Sequence, residues 1–335
     1  MTRTTTWGRA PGLMAALIVL GGLAGCSGGD DGRAARLAAA SGAVEVRSDG
    51  VRRAVTGSRD LAIGDRVTVT DGSASVRLGP SHNVELRGGS DVEVVQFAGA
   101  AAVRLLAGDV LVTGGSRPTT VTADNVRADV VGVARMSKRS GLLVAAYEGV
   151  TEAGAGGASV PIPALRQLAF GPDGAAPAGP VPLVYSAADP WDQRLLTDAI
   201  ELGAQLSARS RGFTAQTRAG VTPGADLFRR VLPGLAEMQS LDAWLGDGTR
   251  APGETLVGSV IALQGRKGAL GDRWSSVFGF RDAGAEWGLV ALDQQVPRGP
   301  LLDEIDAAIG RAPARFGSPG GSAAGGGSGG GGGVT

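Results

Sequence analysis

The chain has 335 residues, with 32 Lys+Arg against 32 Asp+Glu, one cysteine and one histidine. Balanced charge leaves no global field to draw it onto nucleic acid. A single cysteine excludes an intrachain disulfide and a Cys-rich zinc site, and a single histidine leaves little for a metal cluster or a His-based triad.

The first 25 residues read as an export signal. Arg3 and Arg9, with no acid beside them, precede the apolar run Leu13–Leu20, which Gly21 and Gly22 break. That run falls short of the roughly 20 apolar residues a membrane-spanning helix needs. Leu23, Ala24, Gly25 and Cys26 follow. They resemble the bacterial lipobox, in which small residues precede a cysteine that becomes the lipidated N-terminus. The resemblance implies a diacylglyceryl group on Cys26 and attachment to the outer face of a membrane. Each buried CH₂ contributes ~0.8 kcal/mol, so two acyl chains hold where one would not. Residues 26–37 then read as a tether.

Residues 38–172 carry strand and turn signals. Val44 and Val46, Val67 and Val69, Ala74, Val76 and Leu78, Val84 and Leu86, and Val92 and Val94 alternate with polar residues at period two, and glycines punctuate the runs. Short alternating strands predict a sandwich or β-roll. A weak repeat joins Leu61–Val69 to Leu105–Val112, aligning Gly64-Asp65 with Gly108-Asp109, and Glu148-Gly149-Val150 is a third echo. In each, glycine suits a turn and the neighbouring acid can bond local backbone.

These residues carry a family resemblance. Gly42-Ala-Val44-Glu-Val46, Leu61-x-x-Gly64-Asp65-x-Val67-x-Val69, Leu106-x-Gly108-Asp109, Val130–Val133 and Glu148-Gly149-x resemble the strand-and-turn pattern of a FecR-type domain. The resemblance implies an extracytoplasmic β-rich fold. FecR proteins regulate a sigma factor through a cytoplasmic N-terminal segment. A lipoprotein signal stands in that place here, so the regulatory role does not carry over.

Residues 173–187 read as a Pro/Gly linker, and residues 188–312 as a smaller α+β domain. Asp189 suits an N-cap, Pro190 the first helical position and Asp192 the first turn. Leu195, Ala199, Leu202 and Leu206 form one helical stripe that should stop near Gly212, and Thr222-Pro223 reads as a second cap. Leu227 and Val231 lead to Pro233, which should end or kink that helix, and Leu235, Met238, Leu241 and Trp244 restart the stripe until Gly246. Glu254–Leu263 is an apolar segment that fits helix or strand, and the Pro252-Gly253 start favours helix. Trp274–Phe280 and Trp287–Leu292 read as a β-hairpin around Asp282–Gly284. Leu301, Leu302, Ile305 and Ile309 suggest a closing helix. Residues 313–335, rich in glycine, are expected to be disordered.

No motif carries chemistry. Gly-x-Ser-x-Gly occurs at Gly25–Gly29 and Gly326–Gly330, but a hydrolase elbow needs a strand before it and a helix after. His82 reads as a surface-turn residue. Asp303, Glu304 and Asp306 read as the solvated face of the last helix. Trp274, Phe278, Phe280 and Trp287 form the densest aromatic group, and with Arg281 beside it Trp274, Phe278 and Trp287 are a candidate interaction surface for a glycan or partner, or else a packed core. No cofactor or metal is implied. The expectation is an exported, membrane-anchored, non-enzymatic module that binds or senses an envelope protein or polysaccharide. The alternative is an envelope hydrolase or transferase with its site in the C-terminal domain.

Overall fold

A computed structural model describes residues 35–176, 179–217, 224–246 and 250–312. The lipobox, Cys26 and the Gly-rich tail lie outside them, as do Thr222 and Pro223.

The β part begins with short strands, most of which bury alternate residues, whereas β3 is exposed throughout. They are β1 (Ala35–Ser41), β2 (Val44–Ser48), β3 (Val51–Ala54), β4 (Ser58–Leu61), β5 (Arg66–Val69), β6 (Ser73–Arg77), β7 (Asn83–Arg87) and β8 (Ser90–Gln96). Three long strands follow, β9 (Ala101–Ala123), β10 (Val126–Lys138) and β11 (Leu142–Ala155), then β12 (Val160–Pro163), β13 (Arg166–Phe170) and β14 (Val181–Pro182). All pairings are antiparallel. One path runs β14-β13-β11-β10-β9-β7-β6-β1-β4; a second runs β3-β2-β5-β8-β9. Residues from both paths, including Leu37, Val76 and Val112 on the first and Val46, Val67 and Val92 on the second, share one apolar core. The two paths are therefore the two layers of a wound sandwich.

The long strands pass from one layer to the other. Residues 102–107 of β9 pair with β8, residues 110–113 with β7, and both 108–114 and 119–123 with β10. The passage needs glycine. Gly132 lies in register with Gly114 on one side and Gly149 on the other. Gly132 and Gly149 have φ of 99° and 73°. A Cβ on Gly132 would stand 2.3 Å from the Glu148 carbonyl oxygen, and one on Gly149 2.1 Å from that of Val131. Only a residue without a side chain lets the backbones cross this closely.

The first layer is apolar on both faces where it meets the helices. Val110, Val112, Val144 and Ala146 face the sandwich core, whereas Leu111, Ala145 and Tyr147 belong to a second core formed with the helical part. The helices are α1 (Pro190–Thr217), α2 (Ala225–Val231), α3 (Leu241–Leu245), α4 (Pro252–Gln264), α5 (Leu270–Asp282), α6 (Trp287–Asp293) and α7 (Arg298–Arg311). Helix α4 is buried nearly all round and packs against α1, α5 and α7. Gly203 and Gly288 let α1 and α6 touch; a Cβ on Gly288 would come within 1.8 Å of the Ala199 carbonyl oxygen.

The division into a mainly β part and a smaller second part agrees with the sequence. So do the starts of α1 and α4, and the closing helix α7. Helix α1 overruns its expected stop at Gly212 by five residues. Pro233 does end a helix, and a 3-10 turn, Pro233–Leu235, follows it. The expected hairpin at residues 274–292 is instead α5 and α6. The reason is spacing: Trp274, Val277, Phe278 and Arg281 stand at i, i+3, i+4 and i+7, one face of a helix. Asp282–Gly284 joins two helices rather than two strands. The residues read as a linker are partly built in, since Val181–Pro182 pairs with β13 and Leu183 is buried in the second core. The described β and helical residues fall in one compact unit.

Candidate functional site

Strand register builds a row of polar side chains on the outer face of the first layer. Asp109 of β9 lies opposite Ser137 of β10, and Glu85 of β7 opposite Leu111 of β9, which itself faces Arg135 of β10. Arg87, two residues beyond Glu85, reaches Asp109 Oδ2 through Nε at 3.1 Å and Nη2 at 2.8 Å. Ser137 Oγ donates to the other oxygen of Asp109. The row is thus set by period-two alternation and pairing alone.

The start of α1 docks on this row. Asp189 caps the helix: its Oδ1 accepts the backbone N–H of Trp191 at 2.9 Å. Its Oδ2 accepts Arg87 Nη1 at 2.7 Å and Arg135 Nη1 at 3.1 Å. One carboxylate therefore ends the helix and ties it to two strands. Asp192, 2% exposed, accepts Tyr147 Oη at Oδ1 and the Ser186 N–H at Oδ2. The Trp191 ring lies under the guanidinium groups of Arg87 and Arg135, 4.6 and 5.7 Å from its centroid. Its Nε1–H donates to Glu85 at 3.1 Å, and Arg194 holds the same carboxylate at 2.8 Å.

Electrostatics follow from this geometry. Burial pushes the Asp109 carboxyl up, but hydrogen bonds from Ser137 and Arg87 outweigh it and hold the group below the usual carboxylate range. Asp189 is held low in the same way, its burial outweighed by Arg87 and by the Trp191 N–H. Burial, then the hydrogen bond to Asp192, raises the Tyr147 phenol well above its ordinary value. Asp109 and Asp189 are thus charged and the phenol neutral at physiological pH.

Beside this network opens a groove of about 600 Å³. Ser75 and Glu85 lie on its strand side, and Pro190, Trp191 and Arg194 of α1 form the other. Its acids already hold arginines, so none is a free general base. Among the described residues no cluster of His, Cys, Asp and Glu could hold a metal ion, and no described helix is long and apolar enough to cross a membrane.

The residues singled out from sequence are distributed as follows. Trp274 is 5% exposed, Phe278 4% and Trp287 0%; they lie in the helical core and not on a surface. The expectation of an exposed aromatic platform is corrected accordingly, because scarce aromatics are consumed by packing α4, α5 and α6 together. Arg281 beside them pairs with Glu254. His82 is half-buried, its Nδ1 2.9 Å from Thr119 Oγ1, and its imidazole is pushed down by burial and by Arg117. Asp306 pairs with Arg209 of α1 at 2.7 Å, and Glu304 with Arg311 at 3.1 Å. The Gly-Asp echo divides. Asp65 accepts the Ala62 N–H at 2.9 Å, the local bond expected of it, whereas Asp109 joins the arginine network. Sequence reading named Asp189 and Asp192 as helix-start residues but missed Arg87, Arg135 and Tyr147. The alternation of β7, β10 and β11 held the signal, an arginine or tyrosine on the face opposite the valines.

No family model matches the chain, and no curated protein matches it. Two crystal structures of a protein from Parabacteroides distasonis, described as a "putative anti-sigma factor", are similar to it, each at 16% identity and a TM-score of 0.30. The match covers 33% of this chain and 57% of that one, so the chain spans little more than half the length of those proteins. A likeness at this level shows neither a shared fold nor a shared activity.

Proposed function

We propose that the chain is an exported, lipid-anchored module that binds or senses a protein or polymer of the cell envelope without catalysing a reaction. The observation carrying this reading is the groove beside α1. Its lining mixes apolar surface with a few polar groups, and its carboxylates are occupied by arginines, an arrangement that suits recognition more than acid–base chemistry. Trp191 and Arg87 line the groove and also belong to the ion network, so a ligand touching them also touches the joint between sheet and helices. Support for the anchor is the run Leu23-Ala24-Gly25 directly before Cys26, the only cysteine in the sequence.

Two measurements test it. A photo-cross-linking residue placed at Ser75 should capture, on living cells, a species that the same residue at exposed Ala243 does not. Identical capture at both positions would remove the groove from consideration. Mass analysis of the mature N-terminal peptide should find a diacylglyceryl group on Cys26 and no residues 1–25; an unmodified Cys26 would end the anchor assignment.

A further inference from the structure

The end of the sandwich where β1 begins is ringed by arginines that face one another. On the first layer, Arg36 lies directly opposite Arg77 of β6. On the second layer, Arg47 lies directly opposite Arg52 of β3 and, on its other side, Arg66 of β5. Arg59 of β4 donates to Ser48 Oγ at 3.0 Å, joining the two layers at this end. Only Arg66 of these six has an ion-pair partner among the described residues, Asp91. Arg36 also faces Asp60 across β4, yet the two form no ion pair.

Directly opposed like charges destabilise a strand pair; Asp91 offsets this for Arg66, but Arg36 and Arg77 on the first layer and Arg47 and Arg52 on the second form no ion pair among the described residues. Opposed arginines that find no carboxylate within the described fold are expected where an outside partner supplies the anion. The partner's chemistry is anionic, and the chain itself indicates where it lies. Ala35 starts β1 nine residues after Cys26. At 3.3–3.6 Å per residue that stretch spans at most about 30 Å. If Cys26 carries its lipid, this end of the sandwich is the part of the described chain covalently closest to the bilayer.

We infer that the arginine ring of Arg36, Arg47, Arg52, Arg59, Arg66 and Arg77 docks on the phosphate headgroups of an anionic membrane surface. The ring supplies a second, electrostatic contact beside the acyl chains and fixes which end of the sandwich faces the lipid. The inference uses the Cys26 anchor to choose membrane over other phosphate sources; the arginine geometry does not depend on it.

The test uses the mature chain from residue 26 with Cys26→Ala, which carries no lipid. It should co-sediment with vesicles of phosphatidylglycerol and phosphatidylcholine and not with phosphatidylcholine alone, and binding should fall as salt rises. The pair Arg47→Ala and Arg52→Ala should lower partitioning on the order of 30-fold, taking about 1 kcal/mol per arginine at an anionic surface. Exposed Arg211→Ala and Arg230→Ala should leave it unchanged, and circular dichroism should be the same for every variant. Equal binding to both vesicle types, or equal loss in both variant pairs, would overturn the inference. Tight binding to soluble polyphosphate with no vesicle binding would overturn the membrane assignment. None of these outcomes depends on lipidation, which the N-terminal peptide mass reads separately.

Discussion

Arg87 and Asp189 meet at 2.7 Å although 102 residues separate them in the sequence. One closes the sheet row on β7 and the other caps α1, so a single ion pair records the docking of the helical part on the sandwich.

Removing that cap should cost more than a surface pair would. Asp189→Ala takes away the acceptor for the Trp191 N–H and leaves the largely buried Arg135 with a weaker set of partners. A loss of about 2–4 kcal/mol is expected. Asp189→Asn keeps a capping oxygen and removes the charge, so it should lose less. Urea unfolding of the two variants, compared at equal slope, checks the order. An Asn variant as unstable as the Ala variant would show that the charge, not the cap, dominates.

The network should also set the limits of stability against pH. Asp109 and Asp189 are held low in the folded chain, so their contribution is present above the unfolded carboxylate value, ~3.9, and is lost as pH falls through their folded values. Tyr147 is raised, so its contribution is present below ~10, the unfolded phenol value, and is lost as pH rises beyond it. Thermal melts of Tyr147→Phe should show less change between neutral and alkaline pH than the parent. An unchanged alkaline slope would remove Tyr147 as its source.

At the crossing of the long strands, Gly132→Ala should destabilise by at least about 2 kcal/mol, from positive φ and a clash with backbone that cannot withdraw. Val131→Thr next to it, exposed and without such a constraint, should change stability by roughly 0.5 kcal/mol or less. Denaturant midpoints for the two decide this, and similar midpoints would mean the crossing is looser than its geometry indicates.

Trp287, fully buried against α4, should lose about 3–5 kcal/mol on replacement by Ala. The same change at Trp244, which is half-buried, should cost less. A sugar- or partner-binding role would reverse this order, altering capture on cells and sparing stability.

Much of the β part was legible because a half-buried strand writes its face into the sequence: Val44 and Val46, or Val84 and Leu86, are both buried as their alternation requires. Asp189-Pro190 likewise announced a helix start by capping chemistry alone. The α5–α6 region was misread because aromatic and β-branched residues in short runs fit strand and helix alike, and only the i+3, i+4 relation of Trp274 to Val277 and Phe278 separates them. The ion network was hidden for another reason. Arg87, Asp109, Arg135 and Asp189 are far apart in sequence, and each is an ordinary polar residue until the register of three strands sets them side by side.

The three-way pairing of β9 has a consequence for how the chain acquires its shape. Strands β7 and β8 belong to different layers, and each finds its missing neighbour only in β9. Until residues 101–123 are in place, both layers end in an open edge able to pair with another molecule. A chain delivered from its N-terminus therefore passes through a stage with two sticky borders, closed together by one late segment, and folding speed should be limited by that closure.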